Sequence, residues 1–212
     1  MSTAPKKRVS AASPMRARIL RHAIELFAQR GFAGVSVRDV AGAVGVTMPT
    51  LYHHFGDKRS LYLESCLLLF GRWGQRLDKL LEGDGTPQQR LFDYFCALGD
   101  SLINDRRFSS LLQRELLERD AIGIRKLTLS TFSVHFREVA RLCRSVTHRG
   151  NVELTAHTLF ALAFGLAQLR PIGRELAVID PIADAQQLAS HVLSVALPGH
   201  HWSRLRSRWD RG

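Results

Sequence analysis

The residues best suited to chemistry lie at 48–54, where polar and aromatic side chains share the outer face of a predicted helix. Helical spacing turns Leu51 and Phe55 inward, so their neighbours are left outside. Hydroxyl, imidazole and phenol groups at this density suit contacts with the edges of bases in duplex DNA. The outward residues are Met48, Thr50, Tyr52, His53 and His54.

Two short helices must position this face, and they meet at one glycine. Gly45 suits the tight turn between them because it adopts a positive φ without steric cost. Thr47 can cap the second helix and Pro49 lies in its first turn, where a missing N–H breaks no helical bond. Ser36 is a predicted cap of the first helix, with Asp39 three residues later. The apolar face of that first helix comprises Val37, Val40, Ala41 and Val44. This arrangement predicts a helix-turn-helix whose second helix is sized for the major groove.

The net charge of +11 is concentrated at the ends of the chain. Residues 1–60 carry 10 basic and 3 acidic side chains, residues 199–212 carry 4 and 1, and the 16 basic and 15 acidic side chains between them nearly cancel. A polyanionic partner at the N-terminal end is the natural interpretation, because neutralising phosphates releases counterions. A surface that only confers solubility is the alternative.

The three cysteines, Cys66, Cys96 and Cys143, are isolated and lack metal-ligand spacing. They indicate buried thiols in a reducing compartment, so we expect a cytoplasmic protein with no metal site. Residues 1–14 lack the apolar run of a secretory leader, and the longest apolar stretch, 154–169, is short for a membrane span. We therefore expect no membrane association.

Helical periodicity continues throughout the chain, and no alternating strand pattern is visible, which predicts an all-α fold. We expect a mobile basic tail over 1–14, a helix-turn-helix domain over 15–60, a larger helical domain over 61–198 and a basic C-terminal tail over 199–212. The break at 83–85 ends a fourth helix of about 25 residues that begins at Lys58. Further helices are predicted over 87–102, 108–119, a long stretch ending near Gly150, 152–169 and 184–197. A loop is expected over 170–181.

The helix over 152–169 is apolar on nearly every side and must be covered on both faces. A second copy of the protein is the expected cover, with the last helix taking part. The predicted dimer interface comprises Leu159, Ala163, Leu166, Leu188, Val192, Leu193 and Ala196.

Over residues 15–65 the sequence resembles the tetracycline-repressor (TetR) family of bacterial transcriptional regulators. The resemblance rests on the run ILRHAIELFAQRGFAGVSVRDVAGAVGVTMPTLYHHFGDKRSLY, with its AxxxG turn, its LYxHF box and the lysine after that box. It implies an all-helical homodimer of about nine helices per chain. In such a dimer helices 1–3 bind DNA, helices 8 and 9 pair, and helices 4–8 enclose a small-molecule pocket.

Carried onto this sequence, the resemblance makes Tyr52 and Lys58 phosphate contacts. Arg38 and Thr47 lie at helix N-terminal ends that approach the DNA backbone, as does Ser36. The positions that face the groove are Met48, Pro49, Thr50, His53 and His54. Met48 departs from the hydrogen-bonding residue of many relatives and offers apolar contact only, so base readout falls to Thr50 and His53. Packing against Phe55 is the alternative role of His54.

For the pocket, we expect a small apolar or amphipathic effector beside Trp73, Phe95, Phe132 and Phe136. The remaining candidates are Leu98, Leu102, Leu112, Leu116, Phe160 and Phe164, with Arg114, Glu115, His135 or Gln168 as polar anchors. Simple core packing is the alternative for each apolar member, and a satisfied core histidine is the alternative for His135.

The implied function is a ligand-responsive repressor of a palindromic operator, in which the effector shifts helix 4 and releases the DNA. A dimeric small-molecule-binding protein without operator binding is the alternative. An enzyme is disfavoured, because the sequence has no paired-carboxylate set on one helix face and no GxSxG motif.

Overall fold

The structure, a computed structural model, describes residues 13–117, 132–147, 150–175 and 182–209. Within these residues the fold is entirely helical, as predicted, and the chain divides into units at 1–65 and 66–212. The α-helices are α1 (Pro14–Arg30), α2 (Val37–Val44), α3 (Met48–Phe55), α4 (Lys58–Glu82), α5 (Pro87–Asn104), α6 (Arg106–Leu117), α7 (Ser133–Val146), α8 (Val152–Glu175) and α9 (Ala185–Ala196). A 3₁₀ turn, Trp202–Arg204, follows α9.

In the first unit, α1 and α2 pack together and α3 packs on α2. The core is formed by one apolar stripe of α1 and the inner faces of α2 and α3. The Arg18 guanidinium donates to the Val44 carbonyl oxygen, 3.2 Å away, and so closes the end of α2 against α1. Arg16 pairs with Glu64 and lies 5.0 Å from the centre of the Phe55 ring. Two arginines of α1 thus hold the other helices of this unit in place.

The predicted turn of the helix-turn-helix and the predicted cap of α2 are confirmed. Gly45 has φ +74°, and its N–H donates to the Ala41 carbonyl oxygen at 2.9 Å. Ser36 and Asp39 form a full capping box at the start of α2, with both reciprocal hydrogen bonds present. The Asp57 carboxylate accepts from the Ser60 N–H at 2.6 Å and so caps α4.

In the second unit, α5 is the central helix and contacts α6, α7, α8 and α9. Its residues are buried without interruption from Leu91 to Gly99. Gly99 allows the close approach of α9, because a Cβ there would lie 3.3 Å from Leu188. The buried thiols predicted for the three cysteines are confirmed, and burial raises the pKa of Cys96 and of Cys143 to about 12.

The prediction that a loop begins at Arg170-Pro171 is wrong for residues 170–175. α8 continues through Pro171 to Glu175. Proline inside a helix forfeits one backbone hydrogen bond, which costs several kcal/mol in a buried helix interior, but only one turn remains after it here. The rest of that predicted loop lies outside the described residues, as do the predicted tail over 1–12 and the predicted features within 118–131.

The residues after α9, expected as a basic tail, pack onto the second unit. Trp202 is 1% exposed, and its indole N–H donates to the Leu197 carbonyl oxygen at 2.9 Å. The carboxylate of buried Asp93 accepts from the Arg208 N–H at 2.8 Å. The many arginines of this segment favoured a solvated tail in the sequence analysis, although Trp202 belongs to the core.

Two glycines of α2 provide a test of the turn. Ala at Gly45 would have to adopt a positive φ, so G45A should destabilise the first unit by about 1 kcal/mol, although a Cβ there meets no atom within 4 Å. The matched control is G42A, which also has open space but sits inside the helix and should stabilise by about 0.5–1 kcal/mol. Urea unfolding measures both changes. A gain in stability for G45A would contradict the turn geometry.

Candidate nucleic-acid interface and cavity

The recognition face of α3 is fixed by two buried anchors and one cap. Leu51 and Phe55 are 2% and 7% exposed, which confirms the predicted inner face. At the start of the helix the Thr47 hydroxyl accepts from the Thr50 N–H at 3.4 Å and lies 2.9 Å from the Thr50 hydroxyl. An eight-residue helix held in this way presents one defined set of side chains to solvent.

The structure brings the ten predicted DNA contacts to the surface of the first unit to different extents. Six are exposed: Ser36, Arg38, Thr47, Pro49, Tyr52 and His53. Four are half-buried: Met48, Thr50, His54 and Lys58. The His54 ring lies 6.1 Å from the Phe55 ring, which is the packing contact that the sequence left open as its alternative role. The Ser36 hydroxyl is engaged in its capping box, donating to the Asp39 carboxylate at 2.7 Å.

Lys58 is held by an aromatic ring. Its ammonium group lies 4.4 Å from the centre of the Phe32 ring, which in turn contacts Tyr62 at 5.3 Å between ring centroids. A cation over a ring face gains about 0.5–1 kcal/mol at an exposed site. The charge is therefore positioned before any anion arrives, a feature that spacing alone did not reveal.

The acidic residues near this surface are occupied by helix caps. Hydrogen bonds from the Ser36 hydroxyl and N–H lower the pKa of Asp39, and those from the N–H and hydroxyl of Ser60 lower the pKa of Asp57. Both carboxylates stay ionised at neutral pH and compensate helix N-termini. The negative charges of Asp39 and Asp57 are thus engaged in hydrogen bonds at the starts of α2 and α4.

The second unit encloses an apolar cavity of about 290 Å³. It is lined by Leu98, Leu102, Leu112, Leu116, Phe132, Phe136, His157, Phe160, Ala161 and Phe164. Eight of the ten predicted apolar pocket residues are in this set. Sequence reasoning missed His157 and Ala161, because a histidine on an apolar helix and a small alanine carry no separate signal.

The other two predicted apolar residues, Trp73 and Phe95, are buried but do not line the cavity, and the same holds for Glu115 and His135. Trp73 stacks behind the cavity wall, with its ring centroid 5.8 Å from that of Phe132 and 5.3 Å from that of His135. None of the proposed polar anchors, Arg114, Glu115, His135 and Gln168, is among the lining residues. They were chosen for being polar on an apolar face, a criterion that does not separate core from cavity.

Two buried polar atoms beside the cavity wall have no hydrogen-bond partner in the described part of the chain: the Tyr94 hydroxyl and Nδ1 of His135. The other ring nitrogen of His135 lies 3.8 Å from the Asp78 carboxylate. Burial lowers the pKa of His135, and the nearby Asp78 charge opposes that shift only in part. The imidazole is therefore neutral at pH 7.

A second, open groove of about 580 Å³ runs between α7 and α8. Its walls carry three arginines, and it shares Phe136 and His157 with the apolar cavity. The complete lining is Ser133, Phe136, Arg137, Ala140, Arg141, Arg144, Glu153, Ala156 and His157. In the described ranges no three His, Cys, Asp or Glu side chains come together as a metal site.

The predicted dimer interface needs correction. Leu159, Ala163, Leu188, Val192 and Leu193 have no exposed surface within a single chain, so they form its core and cannot contact a partner. Leu166 and Ala196 are half-buried. The apolar residues left exposed on these helices are Leu154, Leu169, Ile172 and Val195. Since α8 is apolar all round, its sequence could not show which side faces inward.

A helix-turn-helix with a capped, outward-facing second helix is the architecture of a DNA-binding domain, and comparison with known proteins shows which domain it resembles. Residues 19–65 match the family described as "Bacterial regulatory proteins, tetR family". The first unit is therefore similar to the DNA-binding domain of that family.

Two curated relatives match the same region. The HTH-type transcriptional repressor KstR2 of Rhodococcus jostii (strain RHA1) is 41% identical over 61 residues, which is 29% of this chain and 30% of KstR2. The negative regulator of the biofilm operon, IcaR of Staphylococcus aureus, is 36% identical over 56 residues, or 26% of this chain and 30% of IcaR. The chain thus matches less than a third of the length of these relatives.

The fold extends further than the sequence likeness. The structure of the transcriptional regulator FadR from Bacillus subtilis in complex with stearoyl-CoA aligns with a TM-score of 0.72 at 17% identity, over 87% of this chain and 99% of that chain. At this identity the likeness establishes the fold of both units and no more.

The buried histidine predicts a pH dependence of stability. Because the folded-state pKa of His135 is lowered below its ordinary value of 6.5, the unfolded chain takes up the proton first, and stability should fall as the pH drops below about 6.5. H135Q should lose less stability than the wild type between pH 7.5 and 5.5 in urea unfolding. H191Q, at an exposed histidine, should behave as the wild type does. Equal slopes for H135Q and the wild type would contradict the assignment.

Proposed function

We propose that the protein is a transcriptional repressor that binds a palindromic operator as a homodimer and is released by a small apolar or amphipathic effector in the cytoplasm. The observation that carries the proposal is the exposed face of α3 on a TetR-family domain. Tyr52 is 46% exposed and His53 is exposed beside it, while the helix is anchored from below by two buried residues.

In this proposal the contacts divide by chemistry. Tyr52, Lys58, Arg38, Ser36 and Thr47 contact phosphates and set the register of the head on the duplex. Thr50 and His53 donate or accept hydrogen bonds at base edges, while the remaining residues of the face, Met48, Pro49 and His54, contribute apolar contact or packing. The excess of seven positive charges over residues 1–60 supports a polyanionic partner.

The dimer is proposed from the exposed apolar stripe of α8. Leu154, Leu169 and Ile172 are 65%, 58% and 55% exposed, and their spacing places them on one side of the helix. Val195 of α9 is 55% exposed as well. Among the described helices α8 alone has the length and composition to cross a membrane, properties that it shares with core helices of soluble proteins. A second copy covers this surface and supplies the second recognition helix that a palindrome requires.

The apolar cavity of the second unit is the proposed effector site, with a volume near the lower end for small-molecule pockets. FadR from Bacillus subtilis was solved with stearoyl-CoA, and a regulator from Saccharomonospora viridis was solved with choline. Phe132 of the cavity wall contacts Phe70 and Trp73 of α4, at 5.9 and 5.8 Å between ring centroids. An effector that displaces Phe132 therefore acts on α4, and a coupling of about 1–3 kcal/mol changes operator affinity 5- to 150-fold.

Operator binding is tested at Lys58 with DNA from upstream of the gene and with a scrambled duplex. K58Q should weaken binding to both duplexes alike and lower the salt slope of log K by about one unit, because one phosphate contact is lost. K58R keeps the charge and should bind nearly as the wild type does. R21Q removes an exposed charge of α1 and is the control for net charge.

Fluorescence anisotropy titrations at three salt concentrations measure these effects. A loss for K58Q confined to one operator variant would contradict the phosphate role. No binding of the wild type to any duplex would favour a ligand-binding protein without operator recognition.

The dimer surface is tested at Leu169. L169K would bury an ammonium group in an apolar contact, so it should raise the dimer dissociation constant at least tenfold in sedimentation velocity runs. V134K introduces the same charge at a valine of α7 that is 43% exposed and should leave the dimer intact. Unchanged association of L169K would exclude this face of α8 as the interface.

A further inference from the structure

The apolar cavity and the basic groove are neighbours that share part of their lining. Both are lined by Phe136 and His157, whose rings lie 4.7 Å apart, and the Phe136 ring lies 4.2 Å from that of Phe160, which lines the cavity alone. An apolar group in the cavity and a polar group in the groove would therefore contact the same two side chains. The surface of the groove differs from that of the cavity.

That surface is positively charged, and its charge is only partly neutralised. Arg137, Arg141 and Arg144 lie at helical spacing along one side of α7. Arg141 donates to Glu138 at 2.8 Å and Arg144 donates to Glu153 at 2.9 Å. Arg137 is exposed and has no ion pair among the residues that the structure describes. One guanidinium is thus available to an anion in the groove.

We propose that the effector is an amphipathic anion, with a hydrocarbon portion in the cavity and a phosphate or carboxylate head bound in the groove by Arg137. This inference rests on the proposed function of the cavity as the effector site. Guanidinium groups suit such heads because they donate two parallel hydrogen bonds to adjacent oxygens. The groove is open, so the head can extend into solvent and its size is not restricted.

Three probes test the proposal. Decyl phosphate carries both the hydrocarbon chain and the anionic head, decanol carries the chain without the anionic head, and inorganic phosphate is the head alone. Each probe is titrated calorimetrically below its aggregation concentration. The wild-type protein should bind decyl phosphate at least tenfold more tightly than decanol, and inorganic phosphate alone should not saturate the site. Raising the salt from 50 to 300 mM should narrow the difference between the two decyl probes, because the groove is open to solvent.

R137Q should weaken decyl phosphate binding about fivefold, less than a fully buried charged hydrogen bond would give, and leave decanol binding unchanged. The matched control is R72Q, which removes an exposed arginine of α4 outside the groove and should bind all probes as the wild type does. Equal affinity of the wild type for decanol and decyl phosphate, or equal behaviour of R137Q and R72Q, would overturn the proposal.

Two further outcomes are decisive. Inorganic phosphate binding as tightly as decyl phosphate would place the anion in the groove without use of the cavity and would overturn the proposal. Absence of binding by either decyl probe would overturn it as well. Neither of these results affects operator binding by the unliganded protein. Failure of operator binding would in turn leave the probe results unchanged. Failure of this inference and failure of the proposed function are therefore distinguishable.

Discussion

The burial of Leu51 and Phe55 is the constraint on which the DNA-binding unit depends. A helix of eight residues is not stable alone in water, so α3 exists only because these two side chains are packed against the rest of the unit. Their spacing of four residues fixes the rotation of the helix about its axis. That rotation decides that Tyr52 and His53 face outward, and the hydrogen bond from Arg18 to Val44 and the cap at Thr47 then set the position of its first turn.

The second unit meets the opposite requirement, because it must leave space inside a core. Its central helix α5 is buried from Leu91 to Gly99, and packing of this kind leaves few voids. The cavity forms where rings of α7 and α8 lie near the second half of α5 and α6, so that Phe132, Phe136 and Phe160 line a space that they do not fill. The lining residues are apolar except for His157.

The predictable parts of the fold are those with local causes. Caps, glycine turns and apolar periodicity placed the helices to within a few residues, since each signal acts within one turn of chain. Pro171 shows the limit of this reasoning, because the same residue ends a helix or is tolerated inside one depending on how much helix follows. The dimer surface of α8 shows another, since a helix that is apolar all round has no periodicity from which to choose a side. Packing of the segment after α9 depends on distant residues, as in the hydrogen bond from the Arg208 N–H to Asp93, so no local sequence signal predicts it.

The boundary between the two units lies within α4, between Ser65 and Cys66. The second half of α4 is held at Trp73 by the rings of Phe132 and His135. Nδ1 of His135 and the Tyr94 hydroxyl lie behind this contact and have no hydrogen-bond partner among the described residues. A buried unsatisfied polar group costs about 1–3 kcal/mol, so this part of the second unit is less stable than an all-apolar contact of equal area.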